Sequence, residues 1–132
     1  IELKEDPDPV GFTDQVLDLV PNGTVHRVAS FDARMVDHAL ANGHAAVLIA
    51  DRPDALEAIE VSRRQKLTAL SLRFDAIDED VLAPTRKLGI ELWAWTVDRP
   101  DQWEHLHQLG ALDAWCTNDP RGLRGWLIGR GL

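Results

Sequence analysis

"AAVLIADRPDALEAIEVSRRQKLTALSLRF", residues 45–74, is the stretch that decides the fold. It opens on one apolar run (45–50) and closes on another (67–73), with a helical pattern introduced by Pro53 between them. Strand, turn, helix and strand make a βαβ unit, whose two strands must lie parallel. Pro53 suits a first helical turn, where a missing N–H leaves no bond unmade. Asp51, just ahead, can accept from the free amides of that turn and favours the positive end of the helix dipole.

The same rhythm extends in both directions. Apolar runs read "IELK", "TVHRVAS", "AAVLIA", "LTALSLR", "IELWAWTV" and "LDAWCT", starting at residues 1, 24, 45, 67, 90 and 112, so that 21 to 23 residues separate successive starts. Helical patterns lie between them. "DARMVDHALANG" (32–43) carries an apolar stripe ended by Gly43, and "PDQWEHLHQLG" (100–110) places Pro100 at a first helical position. Asp32, Asp98 and Asp119 are expected to cap helices as Asp51 does, and "DRPD" occurs at both 51–54 and 98–101.

Strict strand–helix alternation with short loops implies a parallel sheet with right-handed crossovers. Two α/β architectures accommodate six units, an open doubly wound sheet and most of a (βα)8 TIM-type barrel. A nucleotide-binding doubly wound fold places a Gly-rich turn after its first strand, whereas here that turn is "EDPDP" (5–9). The barrel is therefore expected, as an N-terminally truncated part with about six βα units filling residues 1–132.

The charge balance removes whole classes of partner. Lys plus Arg is 14 and Asp plus Glu is 22, for a net charge of −8. With no opposing basic patch, such a surface repels nucleic acid and anionic lipid. No apolar run reaches the roughly 18 residues of a membrane span, so no transmembrane segment is expected. Cys116 is the single cysteine, which excludes an internal disulfide and slightly favours the cytoplasm. It is expected to be a buried, inert thiol within the last apolar strand. His26 is read inside a strand, and all five histidines as surface or structural residues.

Ligands of such sheets bind at the C-terminal ends of the strands. Those ends are Glu2 and Lys4, Ser30 and Phe31, Asp51, Arg73, Trp95 with Thr96 and Asp98, and Thr117 with Asn118. Glu2 and Lys4 are two apart and share a strand face, as do Trp93 and Trp95. Carboxylates here suit a hard divalent cation, Mg²⁺ or Ca²⁺, and a lysine beside it neutralises an anion as a point charge. Together they suit a phosphate ester.

"IELK", "VASF", "WAWTVD" and "LDAWCTNDP", in this order and spacing, resemble the second part of the glycerophosphodiester phosphodiesterases. The resemblance implies an irregular (βα)8 barrel of the phospholipase-C-like phosphodiesterase group. It also implies divalent-metal-dependent hydrolysis of glycerophosphodiesters to glycerol 3-phosphate and an alcohol, hence a place in lipid metabolism. Glu2 matches a metal-ligand glutamate, Lys4 the lysine two positions on, Ser30 and Phe31 a substrate-side strand end, and Trp95 the tryptophan walling the glycerol side. Two positions depart from the family's commonest pattern: Asp98 stands where Asn is usual, and Asn118 where Asp is usual.

The family's His-Arg-Gly strand, Glu-x-Asp metal pair and second catalytic histidine have no counterpart in this sequence. The expectation is a phosphodiesterase fragment, inactive alone, with one metal ligand and open edges at "IELK" and "LDAWCT" through which it self-associates. The alternatives are a non-catalytic half-barrel that needs a partner chain, and a related phospholipase-type phosphodiesterase.

Overall fold

A computed structural model of the chain describes residues 1–20, 25–110 and 112–131; Thr24, the expected start of the second strand, lies outside them. Among the described residues six strands alternate with six α-helices. The strands are β1 (Glu2–Leu3), β2 (Val28–Ser30), β3 (Ala46–Ala50), β4 (Ala69–Arg73), β5 (Glu91–Trp95) and β6 (Ala114–Trp115). The helices are α1 (Pro9–Asp18), α2 (Ala33–Ala41), α3 (Ala55–Gln65), α4 (Glu79–Leu88), α5 (Pro100–Leu109) and α6 (Pro120–Ile128). All pairings are parallel and the order in the sheet is β1-β2-β3-β4-β5-β6. Because the order never reverses, crossovers of one hand place every helix on the same face. A doubly wound sheet needs a reversal, so the arrangement is the barrel type.

Register fixes which residues meet the helices. Leu3, Ser30, Leu48, Leu70 and Leu92 stand in one row across five strands. The four leucines of that row join Met35, Val36, Ile59, Leu82, Val97, Trp103 and Leu106 in one buried core between sheet and helices. The neighbouring row, Glu2, Ala29, Val47, Ala69 and Glu91, points the opposite way. Leu70 and Leu72 are fully buried, and each truncation to alanine costs about 2–5 kcal/mol.

Acidic caps start most helices. Asp8, Asp32, Asp78 and Asp119 accept from the amides of Gly11, Arg34, Val81 and Gly122 at 2.8–3.1 Å. Asp51 caps a single 3₁₀ turn (Arg52–Asp54) instead, so α3 starts two residues later than Pro53 suggests. The expected cap at Asp98 is absent: Gln102 Oε1 receives the Asp98 and Arg99 amides, and the Asp98 carboxylate turns elsewhere. Gly89, at φ +66°, closes α4 in the left-handed region, where a side chain is strained. Among the described residues no helix is long and apolar enough to cross a membrane.

Candidate functional site

The sheet face without helices carries a pocket of about 480 Å³ lined from all six strand units. Its walls include Glu2 and Lys4 from the β1 side, Ala29 and Phe31 from β2, Val47 and Ile49 from β3, and Ser71 from β4. Trp93, Trp95 and Thr96 line it from β5, and Cys116 from the end of β6. Residues from the first and last strands share one cavity, so the six-stranded sheet is curled, with the pocket in its concavity.

Of the five candidates, the structure brings Glu2, Lys4, Phe31 and Trp95 together here and leaves Ser30 out. Ser30 is 1% exposed, donates through Oγ to the Leu3 carbonyl at 2.9 Å and accepts from the Asp32 amide at 3.1 Å. The reason is the pleat: adjacent residues of a strand face opposite ways, so Ser30 and Phe31 cannot both reach the pocket. Ser30 ties β1 to the start of α2 from the helix side.

Lys4 Nζ donates to Glu2 Oε1. The ammonium side chain is 77% exposed, and a pair this open to water is worth only about 0–1 kcal/mol. Exchange of its partner by Lys4 therefore costs little. Phe31 meets Trp95 edge to face, 5.6 Å between ring centres, and the Trp95 Nε1–H donates to the Ser71 carbonyl at 3.2 Å. The Trp95–Thr96 peptide bond is cis. The aromatic pair and the Glu2–Lys4 pair line the same pocket.

Arg73, the other cation at the mouth, is already committed. It donates twice to Asp75 at 2.6 Å and pairs with Asp51 at 3.0 Å, and the Asp75 hydrogen bonds raise its pKa. Lys4 is the cation that lines the pocket. Asp98 accepts from the Asn118 amide at 2.7 Å, the Asn118 side chain at 2.8 Å and the Thr117 hydroxyl at 3.1 Å, which hold its carboxyl below the usual range. That cluster joins two mouth loops.

Cys116 is a correction. The strand ends at Trp115, so the thiol is exposed toward the pocket rather than buried in the sheet. Partial desolvation, and then the Glu2 carboxylate, push its pKa up, which leaves it a weak nucleophile. His26 precedes β2 rather than lying within it, and its ring nitrogen sits 3.0 Å from that of His44. His38 reaches Asp14 at 2.6 Å, linking α2 to α1. None of the five histidines lines the pocket.

The donor set does not by itself fit Mg²⁺ or Ca²⁺, which surround themselves with six or more oxygens. Glu2 is the one carboxylate lining the pocket, and among the described residues no three His, Cys, Asp or Glu side chains are grouped to hold a metal. Sequence reasoning missed Ser71 and the pair Arg27–Glu91 beneath Trp93. An alternating count along β4 would have found the first. The second joins residues 64 apart, beyond any local signal.

No sequence-family model and no curated protein matches the chain. Solved structures do match. A Silicibacter pomeroyi protein, provisionally assigned as a glycerophosphoryl diester phosphodiesterase, superposes with a TM-score of 0.83 at 18% identity over 99% of this chain and 50% of its own. A glycerophosphodiester phosphodiesterase from Parabacteroides distasonis gives 0.79 at 17% identity, covering 99% of this chain and 57% of that one. An Oleispira antarctica phosphodiesterase, solved with the product sn-glycerol-3-phosphate, gives 0.72 at 18%, covering 90% and 49%. The likeness is one of fold, and it identifies the open sheet as part of a TIM-type barrel. The chain spans about half the length of the structures it matches.

Proposed function

We propose that this chain forms the glutamate–lysine side of a phosphodiesterase barrel that hydrolyses glycerophosphodiesters to glycerol 3-phosphate and an alcohol. The observation that carries the reading is the pocket itself: an exposed Lys4 ammonium, with Glu2 beside it, faces the Phe31–Trp95 wall across the concave sheet. A phosphate monoanion or dianion takes the place of Glu2 at Lys4, and the carbon skeleton of the ligand lies on the indole. The likeness in fold to phosphodiesterases supports the same reading.

Metal dependence belongs to this proposal. Glu2 would bring one oxygen ligand, and the remaining ligands and the general acid and base would come from strands beyond this chain. The chain by itself then binds phosphate esters without cleaving them. Calorimetric titration with glycerol 3-phosphate tests the site: saturable binding is expected, weakened severalfold or more in Lys4→Met. Incubation with glycerophosphocholine and Mg²⁺ or Ca²⁺ should release no glycerol 3-phosphate. Chelator-sensitive turnover, or binding indifferent to Lys4→Met, would refute the reading.

A further inference from the structure

Below the pocket, on the same concave face, Arg27 and Glu91 form a bond that spans from the residue before β2 to the start of β5. Two guanidinium nitrogens of Arg27 donate to the two Glu91 oxygens at 2.6 and 3.1 Å. The guanidinium carbon also lies over the Trp93 ring, 5.1 Å from its centre, and the Trp93 Nε1–H donates to Glu91 Oε2 at 3.3 Å. One indole is thus held on its face by a cation and at its nitrogen by a carboxylate, while cation and carboxylate hold each other. Neither Arg27 nor Glu91 lines the pocket, but Trp93 does. Trp93 stands two residues before Trp95 on one strand face, about 6.6 Å deeper.

We propose that Trp93 is the floor of the pocket and that Arg27 and Glu91 are positioning residues that lock it, so that the three set how long an apolar chain the pocket admits beneath a phosphate held at Lys4. The inference rests on the reading of Lys4 as the phosphate site and adds the size limit. An unlocked indole has other rotamers open to it, and removing it joins the cavity to the space beneath. The lock also explains why Glu91 titrates below the usual carboxylate range: the Arg27 hydrogen bonds favour its charged form, and the Trp93 N–H adds to them.

Methyl, propyl, pentyl and heptyl phosphate, titrated calorimetrically into the full chain, give the test. In the unsubstituted chain, affinity should level off after the shortest esters. In Trp93→Ala it should keep rising, by about fourfold per added methylene at full burial. Arg27→Met and Glu91→Gln, which leave the indole present but unlocked, should fall between; they decide the matter if Trp93→Ala does not fold, as judged by circular dichroism. Superimposable chain-length profiles in all folded variants would overturn the floor assignment while leaving the Lys4 site standing. Failure of methyl phosphate to bind the unsubstituted chain would overturn both.

Discussion

The side-chain amide of Asn118 donates to one carboxylate oxygen of Asp98 at 2.8 Å, and the Asn118 backbone N–H donates to the other at 2.7 Å. The two positions at which the chain departs from the commonest pattern of the family it resembles are therefore in contact. Exchanging Asn and Asp between them preserves one carboxylate–amide pair, and the loop from β5 stays fastened to the loop from β6.

This contact predicts a reciprocal rescue. Asn118→Asp should lower the unfolding temperature, because two carboxylates then face each other. The double change Asp98→Asn with Asn118→Asp should restore most of the loss, since groups in direct contact are not additive. Thermal melts of the four proteins decide it, and additive losses would dissolve the pair.

The same contact has a pH signature. Hydrogen bonds from the Asn118 amide, its side chain and Thr117 favour the charged carboxylate, so the folded pKa is depressed. The resulting stability is present above the ordinary aspartate pKa of about 3.9 and disappears as pH falls through the lower folded value. The Asn118 amide resonance should accordingly titrate with a midpoint below that ordinary value, and a midpoint at or above it would contradict the geometry.

Ser30→Ala should separate structure from binding. The Asp32 amide loses its acceptor in a partly buried setting, which costs about 1 kcal/mol in urea unfolding. Affinity for glycerol 3-phosphate should stay within twofold, because the hydroxyl is on the helix side. Trp95→Ala should do the reverse. Loss of the indole surface on which the carbon skeleton packs, at about 25 cal/mol per Å² of apolar area, weakens glycerol 3-phosphate binding severalfold.

Self-association should follow from the two end strands. Among the described residues β1 and β6 are the first and last of the sheet, and each has a strand partner on one side only. Unpaired backbone groups invite pairing with another chain. Light scattering should show mass rising with concentration, and Ala114→Pro, which removes an edge N–H, should reduce it. A monomer at all concentrations would mean that the edges are covered within the chain.

Much of this was legible in residue order alone. The spacing of the apolar runs located all six strands, and Asp32 and Asp119 announced their helices. What escaped was whatever depends on direction or distance. The position of Ser30 along its strand suggests the pocket, but the pleat turns it away. The apolar neighbours of Cys116 suggest an interior thiol, yet β6 stops one residue earlier. Asp98 has the sequence context of a cap, but its partners lie 19 and 20 residues on, across two loops. Arg27 and Glu91 meet only because the sheet curls.

The unreversed strand order also bears on how the chain opens. Each strand pairs only with its neighbours in sequence, so the sheet behaves as a short row of similar modules, lost from its ends inward. Backbone amides of β3 and β4, flanked on both sides, should exchange with deuterium most slowly, and those near β1 and β6 fastest. A molecule built in this way keeps Trp93 on an inner strand while the Glu2–Lys4 rim of its pocket hangs on the outermost one. Loosening at a single end would release Glu2 and Lys4 long before the barrel wall itself gives way.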